Sequence, residues 1–323
     1  MRALIIACLG MLIAGWAHAS THELKVAGAD IQVDIDEDSF RSRTNPILEW
    51  ITRSAQIVAH YYDRFPTAHL HMRVIALDGD GVRNGRTWGH NGGVIRINVG
   101  KQVTDAQLGN DWVLVHEMTH LALPDVGDNH AWLSEGMAVY IEGVARVQAG
   151  NRSEADVWAE EIRSMPRGLP QEGDLGLDHT HTWGRTYWGG AMFCLLADVE
   201  IRQRTHNRYG LQDAVRAIAR ESGGLSADWL IEKVFKTGDD AVGVPVLEEL
   251  YAQMKDQPVK PDLMALWRKL GIEPDTSNTG SSVRITDNAP LATVRQSIMK
   301  TPGSPGGLQG GVSPLLIHSG PGE

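Results

Sequence analysis

The sequence predicts an α+β chain: a small mixed β-sheet, then a mostly α-helical half, with a candidate site between them. Three observations predict it. Residues 69–77 alternate Leu70, Met72, Val74 and Ala76 on one face, the period of a half-buried strand. From 154 to 270 the spacing turns helical, interrupted only by turns such as the Pro/Gly-rich 163–178. At the junction, His116-Glu117-Met118-Thr119-His120 sets two imidazoles one helical turn apart around a carboxylate.

The elements follow in order. Met1-Arg2, an apolar run from Ala3 to Trp16, and Ala17-His18-Ala19 read as a secretory leader cleaved before Ser20. The run is short for a bilayer span, so no membrane span is expected and the product is exported, periplasmic or secreted. Lipid anchoring at Cys8 is the weaker reading, because only seven residues precede it. Without the leader Cys194 is the remaining cysteine, so the exported fold holds by its core with no internal disulfide. Met192, Phe193, Leu195 and Leu196 surround it, which makes it an apolar filler.

Residues 22–36 suggest one or two strands, 47–63 a helix, and 92–99 another strand. His69 and His71 fall on the outer face of the 69–77 strand. Thr104 with Gln107 reads as a capping box, although Gly109-Asn110 allows a later helix start. Leu108, Trp112, Val115, Thr119 and Ala122 form one apolar stripe, and Pro124 ends the helix. The organisation is therefore a leader over 1–19, one catalytic domain over 20–285, and a Gly/Pro-rich tail over 286–323 without fixed structure. The formal charge of −10 argues against nucleic acid and anionic membrane surfaces as partners. Nothing specifies an oligomeric state.

Two imidazoles and a carboxylate along one buried seam need a partner. Neutral imidazole suits Zn²⁺, one per chain, held by His116 and His120, and Glu117 is placed to take a proton from an attacking water. A hydrolytic zinc site uses three protein ligands. Glu135, in Trp132-Leu133-Ser134-Glu135-Gly136, opens a helix whose Gly136 permits close packing, and it is the favoured third ligand. Asp125, Asp128 and His130 are rivals on the connecting loop, as is Glu142 on a solvated helix face. His179 and His181 lie on a loop that is more simply solvated.

His-Glu-x-x-His followed by Trp-Leu-Ser-Glu-Gly resembles the gluzincin metallopeptidases, whose third zinc ligand is the glutamate matching Glu135. Leu123 and Val126 stand where a metzincin carries Gly and His. Thr186-Tyr187-Trp188-Gly189-Gly190 is similar to the Tyr-x-x-Gly helix of gluzincin aminopeptidases, closest to the glycyl aminopeptidase family, and the run 211–218 is similar as well. The resemblance implies a thermolysin-like domain and a peptide or protein substrate. It gives Tyr187 the role of oxyanion donor, and Gly189 and Gly190 a close approach to the metal helix. It also implies a strand over Gly92, Gly93, Val94 and Ile95 whose edge pairs with extended substrate. Gly189 replaces the family's usual Lys, and the Gly-x-Met-Glu-Asn signature is absent. The expected activity is an aminopeptidase-like zinc hydrolysis, with an endopeptidase of the same class or an idle peptidase-fold binding protein as alternatives.

Overall fold

The structure, a computed structural model, describes residues 19–275 and 282–300. The leader, apart from Ala19, and residues 301–323 lie outside the described residues. β1 (Ala19–Val26) and β2 (Ala29–Asp36) form a hairpin, and a short helix α1 (Glu37–Phe40) leads to α2 (Thr44–Tyr62). β3 (His69–Leu77), β4 (Val82–Trp88) and β5 (Val94–Gly100) complete a five-stranded sheet of order β1-β2-β3-β5-β4. β2–β3 and β3–β5 pair in parallel while β1–β2 and β4–β5 are antiparallel, so the sheet is mixed, as expected.

Alternation places Ile31, Val33 and Ile35 of β2, Leu70, Met72 and Val74 of β3, and Ile95, Ile97 and Val99 of β5 in the core. Trp50, Ile51, Ala55 and Val58 of α2 are buried with them in one continuous cluster. His69 is exposed on the outer face, while His71 is half-buried with Nε2 2.6 Å from Asp34 Oδ2.

The helical half runs α3 (Asp105–Asn110), α4 (Val113–His120), α5 (Ala131–Gln148), α6 (Glu154–Ser164), α7 (Gly190–Arg204), α8 (Leu211–Ser222), α9 (Ile231–Val242), α10 (Val246–Met254) and α11 (Leu263–Leu270). The strands β6 (Ile272–Pro274) and β7 (Val283–Ile285) pair, and α12 (Ala292–Met299) follows. α7 is buried nearly all round and carries Asp198, which is satisfied by Tyr140 Oη, Arg202 Nε and the Leu211 N–H. Cys194 is buried at 0% exposure, the filler the sequence implied. Among the described residues no helix is long and apolar enough to cross a membrane.

Two boundaries differ from expectation. The 286–323 tail begins too early, because 286–300 belongs to the folded unit. Val294, Ile298 and Met299 are buried there, and Arg295, 2% exposed, bonds Leu270 O, Thr286 O and Asp287. The helix from the Thr104–Gln107 capping box also breaks before the metal motif. Asp111 accepts from the N–H groups of Val113 and Leu114, each at 3.1 Å, and so starts α4 anew. The break turns Trp112 off the apolar stripe to 51% exposure.

Candidate metal centre

α4 is buried along its whole length, which fixes the rotamers of His116, Glu117 and His120. α5 brings Glu135 across from it. His116 Nε2 lies 3.1 Å and His120 Nε2 3.6 Å from Glu135 Oε2, and the three donor atoms fall within 4.8 Å of one another. Lone pairs from two neutral imidazoles facing one carboxylate repel unless a proton or a cation stands between them. Ser134 Oγ lies 2.9 Å from His120 Nδ1, the outer partner that fixes a ligating imidazole and leaves its Nε2 for the ion. The His116 Nδ1 is buried without a partner. Two imidazoles and one carboxylate are a donor set that fits Zn²⁺.

The electrostatics agree. Burial alone raises Glu135, but bonds and charge from His116 and His120 outweigh it and hold the carboxyl far below its usual range. Burial lowers His116, whereas for His120 the Glu135 and Glu117 carboxylates overcome burial and raise it.

Glu117 is anchored from the sheet. Thr87 Oγ1 lies 2.6 Å from its Oε2 and 3.0 Å from its backbone oxygen. Gly85 leaves room beside it, since a Cβ there would come within 2.5 Å of Glu117 Cγ. Both residues belong to β4, an element the sequence reading missed. Val82 to Trp88 lacks alternation because an edge strand carries polar residues on both faces. The substrate-strand expectation therefore needs correcting. Val94 and Ile95 sit in β5, paired on both sides, so they have no free edge. Gly92 and Gly93 form the turn before it, where the Gly93 N–H donates to His90 O and its carbonyl accepts from the His71 N–H. β4 is the edge beside the site, and Gly85, Arg86 and Thr87 line the cleft of about 410 Å³ with His116, His120, Glu135 and Tyr187.

Tyr187 sits on a π-helical turn, Gly184–Gly189, ahead of α7. Its ring stacks on His116 at 6.4 Å and under Trp183 at 5.6 Å. Burial, then the Glu135 and Glu117 charges, push its phenol up to about 12, so it stays a donor. Gly190 serves a different helix from the one expected. A Cβ on it would overlap Trp132 O, and one on Gly136 would overlap the Gly190 backbone, so the pair seats α7 against α5. The backbone approach thus sets the Tyr187 segment against α5, which carries Glu135, while the tyrosine ring reaches His116 of α4.

The rivals stay apart from the cluster. Asp125 accepts from the Gly127 N–H in a turn, Asp128 opens a short 3₁₀ segment, and His130 pairs with Asp178 at 3.1 Å. His179 is exposed and pairs with Asp256 at 2.7 Å. Glu142 is not on a solvated face: it is buried and receives Arg146 Nη1 at 2.7 Å. Burial raises it to about 7 despite that arginine, and burial with Glu160 and Glu142 raises Glu161 to about 8.

A folded-state value above the unfolded one means that protonated Glu161 stabilises the fold. That stability is complete below the unfolded carboxyl value and is lost as pH rises through about 8. Glu161→Gln is expected to exceed the parent at about pH 9 by about 2 kcal/mol more than at about pH 4. Urea unfolding at both values measures it, and a difference that does not change with pH contradicts it.

No family model matches the chain, and no curated protein matches it. Solved structures do. An aminopeptidase N family protein from Idiomarina loihiensis superposes with TM-score 0.57 at 12% identity, over 84% of this chain and 53% of that one. The likeness is one of fold: the chain folds like part of that aminopeptidase N family protein. An M1 zinc metallopeptidase from Deinococcus radiodurans aligns with TM-score 0.48 at 11% identity, over 76% of this chain and 53% of its own. The chain thus spans about half the length of the structures it matches. The first of these agrees in fold with the α+β expectation, while the likeness to gluzincins and to glycyl aminopeptidases rests on sequence.

Proposed function

We propose that the protein is an exported zinc-dependent peptidase whose metal is held by His116, His120 and Glu135. The carrying observation is that these three donors converge within 4.8 Å while Thr87 holds Glu117 at their side. Zinc there would supply Lewis acidity, acidifying a water and polarising the substrate carbonyl. Glu117 accepts the proton of the attacking water and delivers it to the leaving amine. Tyr187, protonated and beside His116, donates to the oxygen that gains charge in the transition state. Tyr187→Phe is expected to lower kcat by about 10²-fold with a smaller effect on KM, read by steady-state kinetics on one peptide. Equal kcat in the two proteins removes the tyrosine from the reaction.

The fold favours aminopeptidase-like action. One observation favours the endopeptidase of the same class. The acids lining the cleft are Glu117 and Glu135, both engaged, and the edge strand presents Arg86 instead of a carboxylate to a substrate α-ammonium. Zinc-loaded protein incubated with a mixed peptide library, with and without chelator, tests the proposal. Chelator-sensitive cuts support it, their distance from the N-terminus separates the two modes, and metal without any cleavage favours the binding-protein alternative.

A further inference from the structure

A second cavity, of about 380 Å³, adjoins the metal cleft, and Tyr187 lines both. Trp112, Trp183 and Trp188 with Val139 and Val157 give it aromatic and aliphatic walls. Trp112 stands edge-on to His116 at 5.7 Å, so the cavity lies one side chain away from that residue. Three acids also line it. Glu142 has Arg146, and Glu160 has Arg152 Nη2 at 2.7 Å. Among the described residues Glu161 has no such ion-pair partner: it is 5% exposed, and its Oε2 is buried without a hydrogen bond. A carboxyl in that position is unsatisfied until something in the cavity answers it.

We propose that this cavity is the subsite for a basic side chain, lysine or arginine, on the substrate residue next to the scissile bond. The subsite rests on the peptidase reading above. The walls take the methylene stem, indole faces favour a cation, and Glu161 receives the charged head. The volume falls within the usual range of small-ligand sites. Two cations of opposite effect line it: Arg152, held by Glu160, and Arg167, which stands exposed at the rim where solvent screens it. Glu161 carries its proton until about pH 8, so a bound cation displaces that proton and selectivity rises with pH. The other ionisable groups facing it are Glu142, Glu160, Arg152, Cys194 from α7 and Tyr187, the last two kept protonated chiefly by burial.

The test uses zinc-loaded Glu117→Gln protein, which binds without turning over, and peptide pairs differing only in lysine or norleucine beside the cut found in the library. Calorimetry is expected to give lysine at least about tenfold tighter binding at about pH 8.5 and under about threefold at about pH 6. Adding Glu161→Gln should bring the ratio to within about twofold at both. Should that variant fail to fold, Val139→Phe fills the cavity from another wall and must abolish the same preference. Equal binding of the two peptides overturns the subsite, as does a preference that survives Glu161→Gln or follows a free N-terminus instead of the side chain. Cleavage by the parent without basic preference overturns the subsite and leaves the peptidase intact. Lysine selectivity without any cleavage by the parent overturns the peptidase and keeps the pocket's chemistry.

Discussion

Glu117→Gln is expected to keep its metal and lose turnover by about 10²–10⁴-fold. The amide is isosteric, so the close fit against Gly85 is undisturbed, and its carbonyl can still accept from Thr87. The three donors of the proposed metal site are untouched. What disappears is proton acceptance, because an amide cannot take a proton from water near neutral pH. Elemental analysis of the purified variant and kcat on a single peptide make the comparison. Parental turnover would remove the glutamate from the mechanism, and a loss of metal along with activity would recast it as a structural support.

Gly190→Val is expected to destabilise the protein by about 3 kcal/mol or more, with a fall in Tm on the order of 10 °C. Any Cβ at this position overlaps the Trp132 carbonyl, a backbone atom that cannot rotate away, and the facing residue is Gly136. α7 must then lift from α5, which separates Tyr187 from Glu135. Activity should therefore fall further than the fraction unfolded accounts for. Gly109→Ala is the control, because Gly109 lies in α3 with open space around it and an alanine there favours the helix. Thermal unfolding of both variants checks the pair. A Gly190→Val protein as stable as Gly109→Ala would mean that the helices do not approach as described.

These particulars show how far the sequence carried. The convergence of His116, His120 and Glu135 was legible because four-residue spacing on a helix fixes a face whatever the surroundings, and because Gly136 beside Glu135 announced a tight contact. β4 was illegible for the opposite reason. A strand paired on one side only, with Arg83, Asn84 and Arg86 among seven residues, has no period to detect, and its role comes from neighbours distant in sequence. The stripe through Trp112 failed because Asp111 restarts the helix, a capping bond that periodicity cannot see. Glu142 was misplaced although Arg146 stands four residues on, the spacing of a helical ion pair, and that signal would have corrected it. Ala292–Met299 was lost to the composition of the segment after it, yet its burial depends on α5: the Gln148 side chain donates to Ile298 O.

Metal content per folded chain tests the central claim most directly. Protein purified without chelator, or reconstituted with zinc and dialysed, is predicted to hold one zinc per chain, and His120→Ala to lose it while remaining folded by circular dichroism. A parent protein that retains no transition metal after reconstitution, or an alanine variant that keeps a full equivalent, would contradict the account.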